Sequence, residues 1–395
     1  MIYRDFKGLK LSMLGMGTMR LPTKTNEGMD LESVAPIIDE CAAQEMIDYA
    51  IAHGINYFDT AWGYHDGNSE LVVGRALARH KRDEFYLATK FPSYDVRNMP
   101  KAEEIFEKQL EKCKVDYFDF FLLHNICAYN INEYFDPQYK AVEYFIKQRE
   151  AGRIKHLGFS SHASTDVLKR FLAGYGSELE FCQLQVNWID WDFRKVKEHI
   201  DAVRKYNMPV WVMEPLRGGK LVQLNNEFTE RMKAKSPKRA IPQWSFDFLS
   251  SIPDVTVILS GMSDMEQLKE NIALFDKLTP LKDDEIDFLF DLAKDITQSV
   301  SVPCTACRYC TSACPKHLDI PELIRIYNDM NVTGKRSLFG AISMLTIPYE
   351  KFPDTCIGCR SCEKLCPQEI KISEAMKKFS AILDDYSDFI KSRKK

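Results

Sequence analysis

Two runs of cysteines near the C-terminus have a spacing that binds iron–sulfur clusters. Each run reads C-x2-C-x2-C-x3-C and is followed by a proline, Pro315 or Pro367. Bacterial proteins that bind two 4Fe–4S clusters carry this spacing. The cysteines are Cys304, Cys307, Cys310 and Cys314 in the first run and Cys356, Cys359, Cys362 and Cys366 in the second. The pattern therefore predicts one-electron transfer.

The two runs are expected to share their ligands. In this motif three cysteines of a run bind one cluster, and the fourth cysteine binds the other cluster. The predicted ligand sets are Cys304, Cys307, Cys310 and Cys366 for one cluster, and Cys356, Cys359, Cys362 and Cys314 for the other. The segments CPKHLDI (314–320) and CPQEIKI (366–372) also match, which indicates an internal repeat. Their apolar positions, Leu318, Ile320, Ile370 and Ile372, are placed to keep water from the clusters.

Two other uses of the cysteines are less consistent with the pattern. Zinc sites with four cysteines also contain C-x2-C pairs, but zinc does not require a third cysteine, a fourth cysteine and a proline at this spacing twice. A disulfide framework is typical of short secreted chains, whereas this chain has 395 residues. Iron–sulfur binding is therefore the favoured interpretation.

The bulk composition is that of an ordinary globular protein. Hydrophobic residues make up 45% and charged residues 28% of the chain. The net charge of −4 gives no basic bias toward nucleic acid or a membrane surface. The N-terminus lacks the apolar segment of a secretion signal. We expect a cytoplasmic protein of an anaerobic organism, acting on a small molecule, with a redox protein as a further partner and no nucleic-acid or membrane partner.

Eight short apolar runs precede the cysteines, and most are followed by a segment that could form a helix. Continuous apolar character indicates strands buried on both faces and therefore a parallel sheet. Eight such units over about 280 residues predict a (β/α)8 TIM barrel. An open doubly wound sheet has a similar alternation, but the count of eight favours closure. The runs cover 11–17, 55–61, 85–91, 118–124, 154–160, 181–187, 209–215 and 255–261.

The order of these features predicts three parts of the chain. Residues 1–280 are expected to form the barrel, and residues 281–300 a connecting helix. Residues 301–395 are expected to form an α-helical, loop-rich, dicluster ferredoxin-like domain with a C-terminal helix.

Polar residues follow the second, third and fourth apolar runs. These residues are Asp59 and Tyr64, Lys90, and His124. Because active sites of such barrels lie at the carboxyl ends of the strands, the four side chains are expected to meet. Tyr64 would protonate a carbonyl oxygen, with its pKa lowered by Lys90, while Asp59 holds Lys90 and His124 hydrogen-bonds the oxygen. Each residue alone has a structural explanation, but four complementary types at successive strand ends indicate a catalytic site.

Several motifs resemble the aldo–keto reductases over residues 1 to about 295, and the whole chain resembles the branch with a C-terminal dicluster ferredoxin domain. The motifs are GMGTMRLP (15–22), DTAWGY (59–64), Lys90, LLH (122–124), GFSSH (158–162), QVNW (185–188), EPLRGGKL (214–221) and SGMSDMEQLKEN (260–271). The resemblance implies that Asp59, Tyr64, Lys90 and His124 form the catalytic tetrad. It also implies NAD(P)H as cofactor, bound by Gly17, Thr18, Ser160, Ser161, Gln185, Met213, Gly261, Met262, Gln267 and Asn271.

The chain departs from the family pattern around the expected cofactor. Ser160–Ser161 stands where the family has Ser–Asn, and Met213 stands where an aromatic residue stacks on the nicotinamide. After the eighth apolar run there is no Lys or Arg before Lys269, although a phosphate group prefers charged donors. NAD, NADP and FMN therefore remain alternatives, and FMN could act in place of, or alongside, a nicotinamide because it exchanges both one and two electrons.

Three functions are consistent with the sequence. The first is an iron–sulfur oxidoreductase of aldo–keto reductase type, which transfers hydride or electrons to or from a carbonyl or related small substrate at the tetrad. The second is a flavin-containing electron-transfer protein that uses the barrel as a scaffold. The third is a nicotinamide-dependent reductase whose clusters are structural. The first is favoured because pure electron relay does not require an intact tetrad.

Overall fold

A computed structural model describes residues 1–24, 37–302, 304, 308, 310–333, 338–366 and 369–384. The chain divides into two compact units, Met1–Ile286 and Asp287–Lys395, and each is considered by itself. The boundary falls within one helix, Asp283–Val300, which overlaps the predicted connecting helix at 281–300.

The first unit is a closed barrel of eight parallel strands preceded by an antiparallel hairpin, and the predicted (β/α)8 fold is confirmed. The barrel closes where the last strand pairs with the first, with Ile258 opposite Leu14. The hairpin strands are β1 (Tyr3–Phe6) and β2 (Leu9–Ser12). The barrel strands are β3 (Leu14–Gly17), β4 (Tyr57–Asp59), β5 (Tyr86–Phe91), β6 (Phe118–Ile126), β7 (Ile154–Ser161), β8 (Phe181–Gln185), β9 (Val210–Met213) and β10 (Val255–Ser260).

Helices follow the strands, and several begin at a polar side chain that caps the first turn. Asp39 accepts a hydrogen bond from the Ala42 amide, and Asp264 accepts one from the Gln267 amide. The helices are α1 (Glu40–Ala52), α2 (Ser69–Leu77), α3 (Ala102–Cys113), α4 (Ile131–Phe135), α5 (Ala141–Glu150), α6 (Thr165–Tyr175), α7 (Asp190–Phe193), α8 (Val196–Arg204), α9 (Asn226–Lys235), α10 (Ile241–Ser250), α11 (Met265–Phe275) and α12 (Asp283–Val300).

The apolar run at 11–17 is not one strand, and that prediction was wrong in detail. It contains the end of β2 and all of β3, joined at Met13. The chain changes partner there, because β2 pairs antiparallel with β1 whereas β3 pairs with β4 and β10. Asn56 fixes this corner, since its Oδ1 accepts a hydrogen bond from the Ser12 amide at 2.8 Å. Hydrophobicity alone does not record such a change of partner.

The hairpin closes the amino end of the barrel. Phe6 and Leu11 are buried in an apolar cluster with Phe120, Phe181 and Trp211. The rings of Phe6 and Trp211 meet edge to face, with centroids 5.1 Å apart. Because these strand residues lie near the amino ends of their strands, the opposite end of the barrel is left for the polar side chains.

The second unit is built from helices and turns in its described residues. Its helices are α13 (Ile320–Thr333), α14 (Leu338–Leu345) and α15 (Ile372–Asp384). Helices α13 and α15 begin at matching positions of the internal repeat. The core includes the apolar residues that the repeat predicted to be buried, Leu318, Ile320, Ile370 and Ile372. Among the helices of the described residues, none is long and apolar enough to cross a bilayer.

Candidate active site and cluster-binding loops

Three of the four predicted catalytic side chains are linked at the carboxyl ends of β4 and β5. The Nζ of Lys90 lies 2.5 Å from Asp59 Oδ1 and 3.2 Å from Tyr64 Oη. It also donates to the carbonyl oxygen of Thr60 at 2.8 Å. Lys90 is fully buried, so its ammonium is held by these three oxygens.

A residue from the far side of the barrel completes the ion pair. Gln183, on β8, donates a hydrogen bond from Nε2 to Asp59 Oδ2 at 3.2 Å. The two carboxylate oxygens of Asp59 therefore have different partners, Lys90 and Gln183. Sequence reasoning missed Gln183, although an amide within the otherwise apolar segment FCQL was a signal.

The loop that presents Tyr64 is wound in an unusual way. His65, Asp66 and Gly67 have positive φ angles of 49°, 53° and 87°. For residues other than glycine this conformation costs roughly 1–2 kcal/mol each, so other contacts must hold the loop. One such contact is the hydrogen bond from the Leu21 amide to His65 Nε2 at 3.1 Å.

His124 lies beside Tyr64 as a neutral ring. The two rings are 6.1 Å apart between centroids and meet at 82°. Burial lowers the pKa of His124 well below its ordinary value, and the positive charge of Lys90 lowers it further. A neutral imidazole can donate one hydrogen bond to a substrate oxygen without adding a second charge to the site.

The pKa of Tyr64 differs in direction from the expectation. Burial raises its pKa, and the positive charge of Lys90 opposes this rise without reversing it. Burial alone would lower the pKa of Lys90, but Asp59 and Tyr64 outweigh that effect and raise it. The phenol therefore keeps its proton at neutral pH, and the neighbouring ammonium keeps its charge.

A second buried acid supports the strand that carries Lys90. Glu70 accepts hydrogen bonds from Thr89 Oγ1 at 2.7 Å, from Gln109 Nε2 at 2.7 Å and from Lys112 Nζ at 2.8 Å. Gln109 also donates to the carbonyl oxygen of Lys90 at 3.0 Å. This network fixes the backbone of β5 at Lys90. It was not predicted from the sequence, because its members lie on three separate elements.

Three predicted cofactor residues, Gly17, Thr18 and Ser161, make close contacts within the barrel itself. Gly17 lies close to β10, because a Cβ atom added at Gly17 would be 3.4 Å from the Ser260 carbonyl oxygen. Thr18 is buried, and its hydroxyl donates to the Asp59 carbonyl oxygen at 3.0 Å. Ser161 is also buried, and its hydroxyl donates to the Ile126 carbonyl oxygen at 2.8 Å.

Gln185 is held by three polar side chains. Its Oε1 faces His162 Nδ1 and Arg194 Nη1, each at 3.0 Å, and its Nε2 donates to Asp190 Oδ2 at 2.8 Å. Within the described contacts, the second amide hydrogen of Gln185 has no acceptor and could be donated to a ligand. Ser160 is similar, since its Oγ accepts the Asn125 amide at 2.8 Å and its hydroxyl hydrogen is left to donate.

The remaining predicted cofactor residues lie at the end of β9, just after β10 and in α11. Met213 is half-buried, Gly261 is exposed and Met262 is buried. Asn271 donates from Nδ2 to Ser260 Oγ at 3.1 Å. Gln267 donates from Nε2 to Asp264 Oδ2 at 2.6 Å, at the N-terminus of α11.

Arg20 is a basic residue beside this loop that the sequence did not point to. A Cβ atom added at Gly261 would lie 3.3 Å from Arg20 Cδ, and one added at Gly218 would lie 3.0 Å from Arg20 Nη2. Arg20 is exposed. The loop after β10 therefore has a cation close by in space, contributed by the segment after β3.

Four cysteines line one cavity in the second unit. They are Cys314, Cys356, Cys359 and Cys362, the set assigned to one cluster, and the cavity measures about 350 Å³ including its open side. Within the described residues no three ligating side chains converge on a single metal ion. The four thiols that line the cavity match in number the ligands that a 4Fe–4S cubane takes.

The other predicted ligand set is described in part. Cys310 belongs to the apolar core of the unit, and Cys304 and Cys366 pack against that core. Cys307 lies outside the described residues. The sharing of Cys366 with the first run therefore stays a prediction.

Both cysteine runs adopt the same backbone shape where they can be compared. Arg308 and Arg360 occupy matching positions of the repeat and have φ angles of 65° and 58°. His317 and Glu369 also match, and each has a φ of 51°. Positive φ is uncommon for residues other than glycine. The repeat is therefore one of structure as well as of sequence.

Comparison with family models identifies both units. The model of the aldo/keto reductase family matches residues 13–293, and that of a 4Fe-4S dicluster domain matches residues 303–371. The chain belongs to the aldo/keto reductase family and is an oxidoreductase with a 4Fe–4S dicluster domain at its C-terminus.

Curated relatives match the barrel at moderate identity. The uncharacterized oxidoreductase YqkF of Bacillus subtilis is 26% identical over 295 residues, which cover 67% of this chain and 87% of that protein. The NADH-specific methylglyoxal reductase of Escherichia coli is 26% identical over 311 residues, which cover 67% of this chain and 90% of that protein.

Solved structures share the barrel fold. The aldo-keto reductase AKR11C1 of Bacillus halodurans in its holo form superposes with a TM-score of 0.57 at 23% identity, covering 72% of this chain and 93% of that chain. The thermostable aldo-keto reductase Tm1743 gives a TM-score of 0.58 at 20% identity and covers 74% of this chain and 100% of that chain.

The substitution Asp59→Ala should destabilise the protein far more than Tyr64→Phe. Removing Asp59 leaves the buried ammonium of Lys90 without its carboxylate, which costs about 3–5 kcal/mol. Removing the Tyr64 hydroxyl costs about 1 kcal/mol. Urea denaturation followed by tryptophan fluorescence measures both changes. Equal losses of unfolding free energy in the two variants would contradict the central place given to the ion pair.

Proposed function

We propose that the protein reduces or oxidises a carbonyl or related small organic substrate at Asp59, Tyr64, Lys90 and His124, and that this reaction is coupled to two 4Fe–4S clusters. The supporting observation is the contact of a protonated phenol with a buried ammonium, 3.2 Å apart. The same chain carries a cavity lined by four cysteines of the predicted ligand set.

The residues of the site have complementary roles in this reaction. A nicotinamide bound at the barrel mouth would supply the hydride that the carbonyl carbon receives. Tyr64 donates its proton to the carbonyl oxygen, and Lys90 stabilises the phenolate that remains. Asp59 keeps Lys90 charged and in place. His124 donates a hydrogen bond to the oxygen as negative charge develops there.

The polar groups at the barrel mouth fit a dinucleotide. Arg20 offers a cation to a diphosphate, and its side chain lies against the backbone of Gly218 and Gly261. The free hydroxyl hydrogen of Ser160 and the remaining amide hydrogen of Gln185 offer donors to a carboxamide oxygen. In the cavity of the second unit, Cys314, Cys356, Cys359 and Cys362 would hold one cluster, which supplies single electrons.

A cofactor inventory of anaerobically purified protein tests the cluster assignment. We expect about eight iron and eight acid-labile sulfide per chain, since the motif provides for two cubanes. Zinc in place of iron would contradict the assignment. Flavin in the same extract would favour the alternative in which FMN occupies the barrel mouth, because it links two-electron and one-electron chemistry.

The substitution Tyr64→Phe should lower carbonyl reduction by about 10²–10⁴-fold, because the reaction loses its proton donor. The matched control is Tyr117→Phe, which removes a phenol just before β6 at the other end of the barrel. Steady-state rates with a series of aldehydes measure the effect. Full activity in Tyr64→Phe would contradict the role of Tyr64 as proton donor, whereas a wild type that reduces no carbonyl would favour an electron-transfer protein that uses the barrel as a scaffold. Carbonyl reduction by NAD(P)H that survives Cys304→Ala would favour purely structural clusters.

We infer further that NADH is preferred over NADPH, by at least tenfold in kcat/KM. In the family, basic residues after the eighth barrel strand pair with the 2′-phosphate of NADP, whereas Asp264 places a carboxylate at the N-terminus of α11. A phosphate beside a carboxylate is repelled. The Escherichia coli relative that is 26% identical is named NADH-specific.

The variant Asp264→Arg should narrow the preference for NADH, and Glu270→Arg should not. Both substitutions add the same charge to exposed positions on or next to α11, but Glu270 lies more than one turn further along the helix. The ratio of kcat/KM for the two cofactors is the measurement. A wild-type preference for NADPH would contradict the inference.

A further inference from the structure

The second cysteine run exposes both a cluster ligand and an apolar side chain. Cys359 is exposed, whereas Cys310 and Cys314 of the first run are 6% and 8% exposed. Ile357, between Cys356 and Cys359, is 62% exposed, the highest value among the large hydrophobic residues of the described chain. An exposed apolar side chain thus lies beside the exposed thiol of Cys359 in the sequence.

The two copies of the internal repeat differ in charge near this loop. Arg308 in the first run donates from Nη2 to Asp319 Oδ2 at 2.8 Å. The repeat places Lys371 where Asp319 stands in the first run. Arg360, the counterpart of Arg308, makes no ion pair within the described part of the chain. The arginine of the first run is therefore paired with a carboxylate, whereas among the described residues Arg360 has only the longer-range attraction of Glu363.

A second cation lies at the same rim. Lys316 and Arg360 are both exposed, and both line the cavity that contains Cys359. The described residues that line this cavity include no Asp or Glu. Lys351 fixes the backbone here, because its Nζ donates to the Lys316 carbonyl oxygen at 2.8 Å. The rim thus combines two cations, an apolar centre at Ile357 and an exposed thiol.

We propose that this rim, formed by Lys316, Ile357, Cys359 and Arg360, is the docking surface for a small acidic one-electron carrier protein. The proposal rests on the proposed function, because it requires a cluster at Cys314, Cys356, Cys359 and Cys362. Positive charge around an apolar contact selects a partner with acidic groups around its own exposed redox centre. In the transfer, one electron leaves the reduced carrier and enters the oxidised cluster, and no bond or proton moves.

Stopped-flow reduction of the full-length protein tests the surface, with a small acidic ferredoxin, reduced beforehand, as the probe. The variant Lys316→Gln/Arg360→Gln should be reduced about tenfold more slowly at low salt, with a weaker dependence on salt. The control Arg308→Gln/Lys371→Gln removes the same charge from residues that do not line the cavity. It should stay within about twofold of the wild type, because steering depends on where the charge lies.

Reduced methyl viologen serves as a second electron donor, since a small dye does not need the rim. It should reduce all the variants at the wild-type rate, which shows that their clusters are intact. Equal slowing of both double variants with ferredoxin would overturn the docking proposal in favour of a general charge effect. Unchanged rates in Lys316→Gln/Arg360→Gln would also overturn it.

Two further outcomes distinguish a failure of the docking surface from a failure of the cluster assignment on which it depends. Wild-type protein without iron would overturn the cluster assignment, and the docking surface with it. Concentration-dependent self-association that Ile357→Asp abolishes, measured by sedimentation, would overturn the acidic carrier in favour of a second copy of this chain. A monomer whose ferredoxin-driven reduction is slowed by Ile357→Asp supports the proposal.

Discussion

The buried ammonium of Lys90 is the constraint on which the barrel site depends. A charge without access to water is tolerated only when an opposite charge and further hydrogen bonds surround it. Asp59 supplies the charge at 2.5 Å, and the Thr60 carbonyl supplies an acceptor. Gln183 ties the same carboxylate to the opposite wall. The strands β4, β5 and β8 are therefore joined through one ion pair and its hydrogen bond to Gln183. The Tyr64 hydroxyl contacts the ammonium of this pair.

Sequence patterns predicted the features that depend on neighbouring residues. The barrel strands follow from continuous apolar runs. The tetrad, inferred from positions after the strands, and the cysteine ligands, inferred from their spacing, stay predictions. Gln183, Glu70 and Arg20 were missed because their partners are distant in sequence; Gln183 and Asp59 are 124 positions apart. The upward pKa shift of Tyr64 was missed for a related reason. Burial dominates it, and burial is set by packing, which the local motif does not contain.

The duplicated cysteine loops separate what the fold requires from what the surface can change. The positive φ angles recur at Arg308 and Arg360, and again at His317 and Glu369, so the backbone path is retained in both copies. The position between the two buried apolar residues is not retained, since it is Asp319 in one copy and Lys371 in the other. Backbone geometry around a cluster is tightly constrained, whereas an exposed charge costs little to replace. The two copies therefore keep the same shape while their surfaces differ in charge.

The protonation state of Tyr64 follows from its burial in the barrel. Because burial raises its pKa, the phenol is protonated below that pKa and loses its proton only as the pH rises through it. A protonated phenol can serve reduction, whereas oxidation of an alcohol needs the phenolate as a base. The positive charge of Lys90 lowers the pKa of Tyr64 and so stabilises the phenolate, but burial outweighs this effect and the neutral phenol prevails. At neutral pH the phenol therefore holds a proton that it could give to a carbonyl oxygen under the proposed function, and the reverse reaction would return that proton to the phenolate.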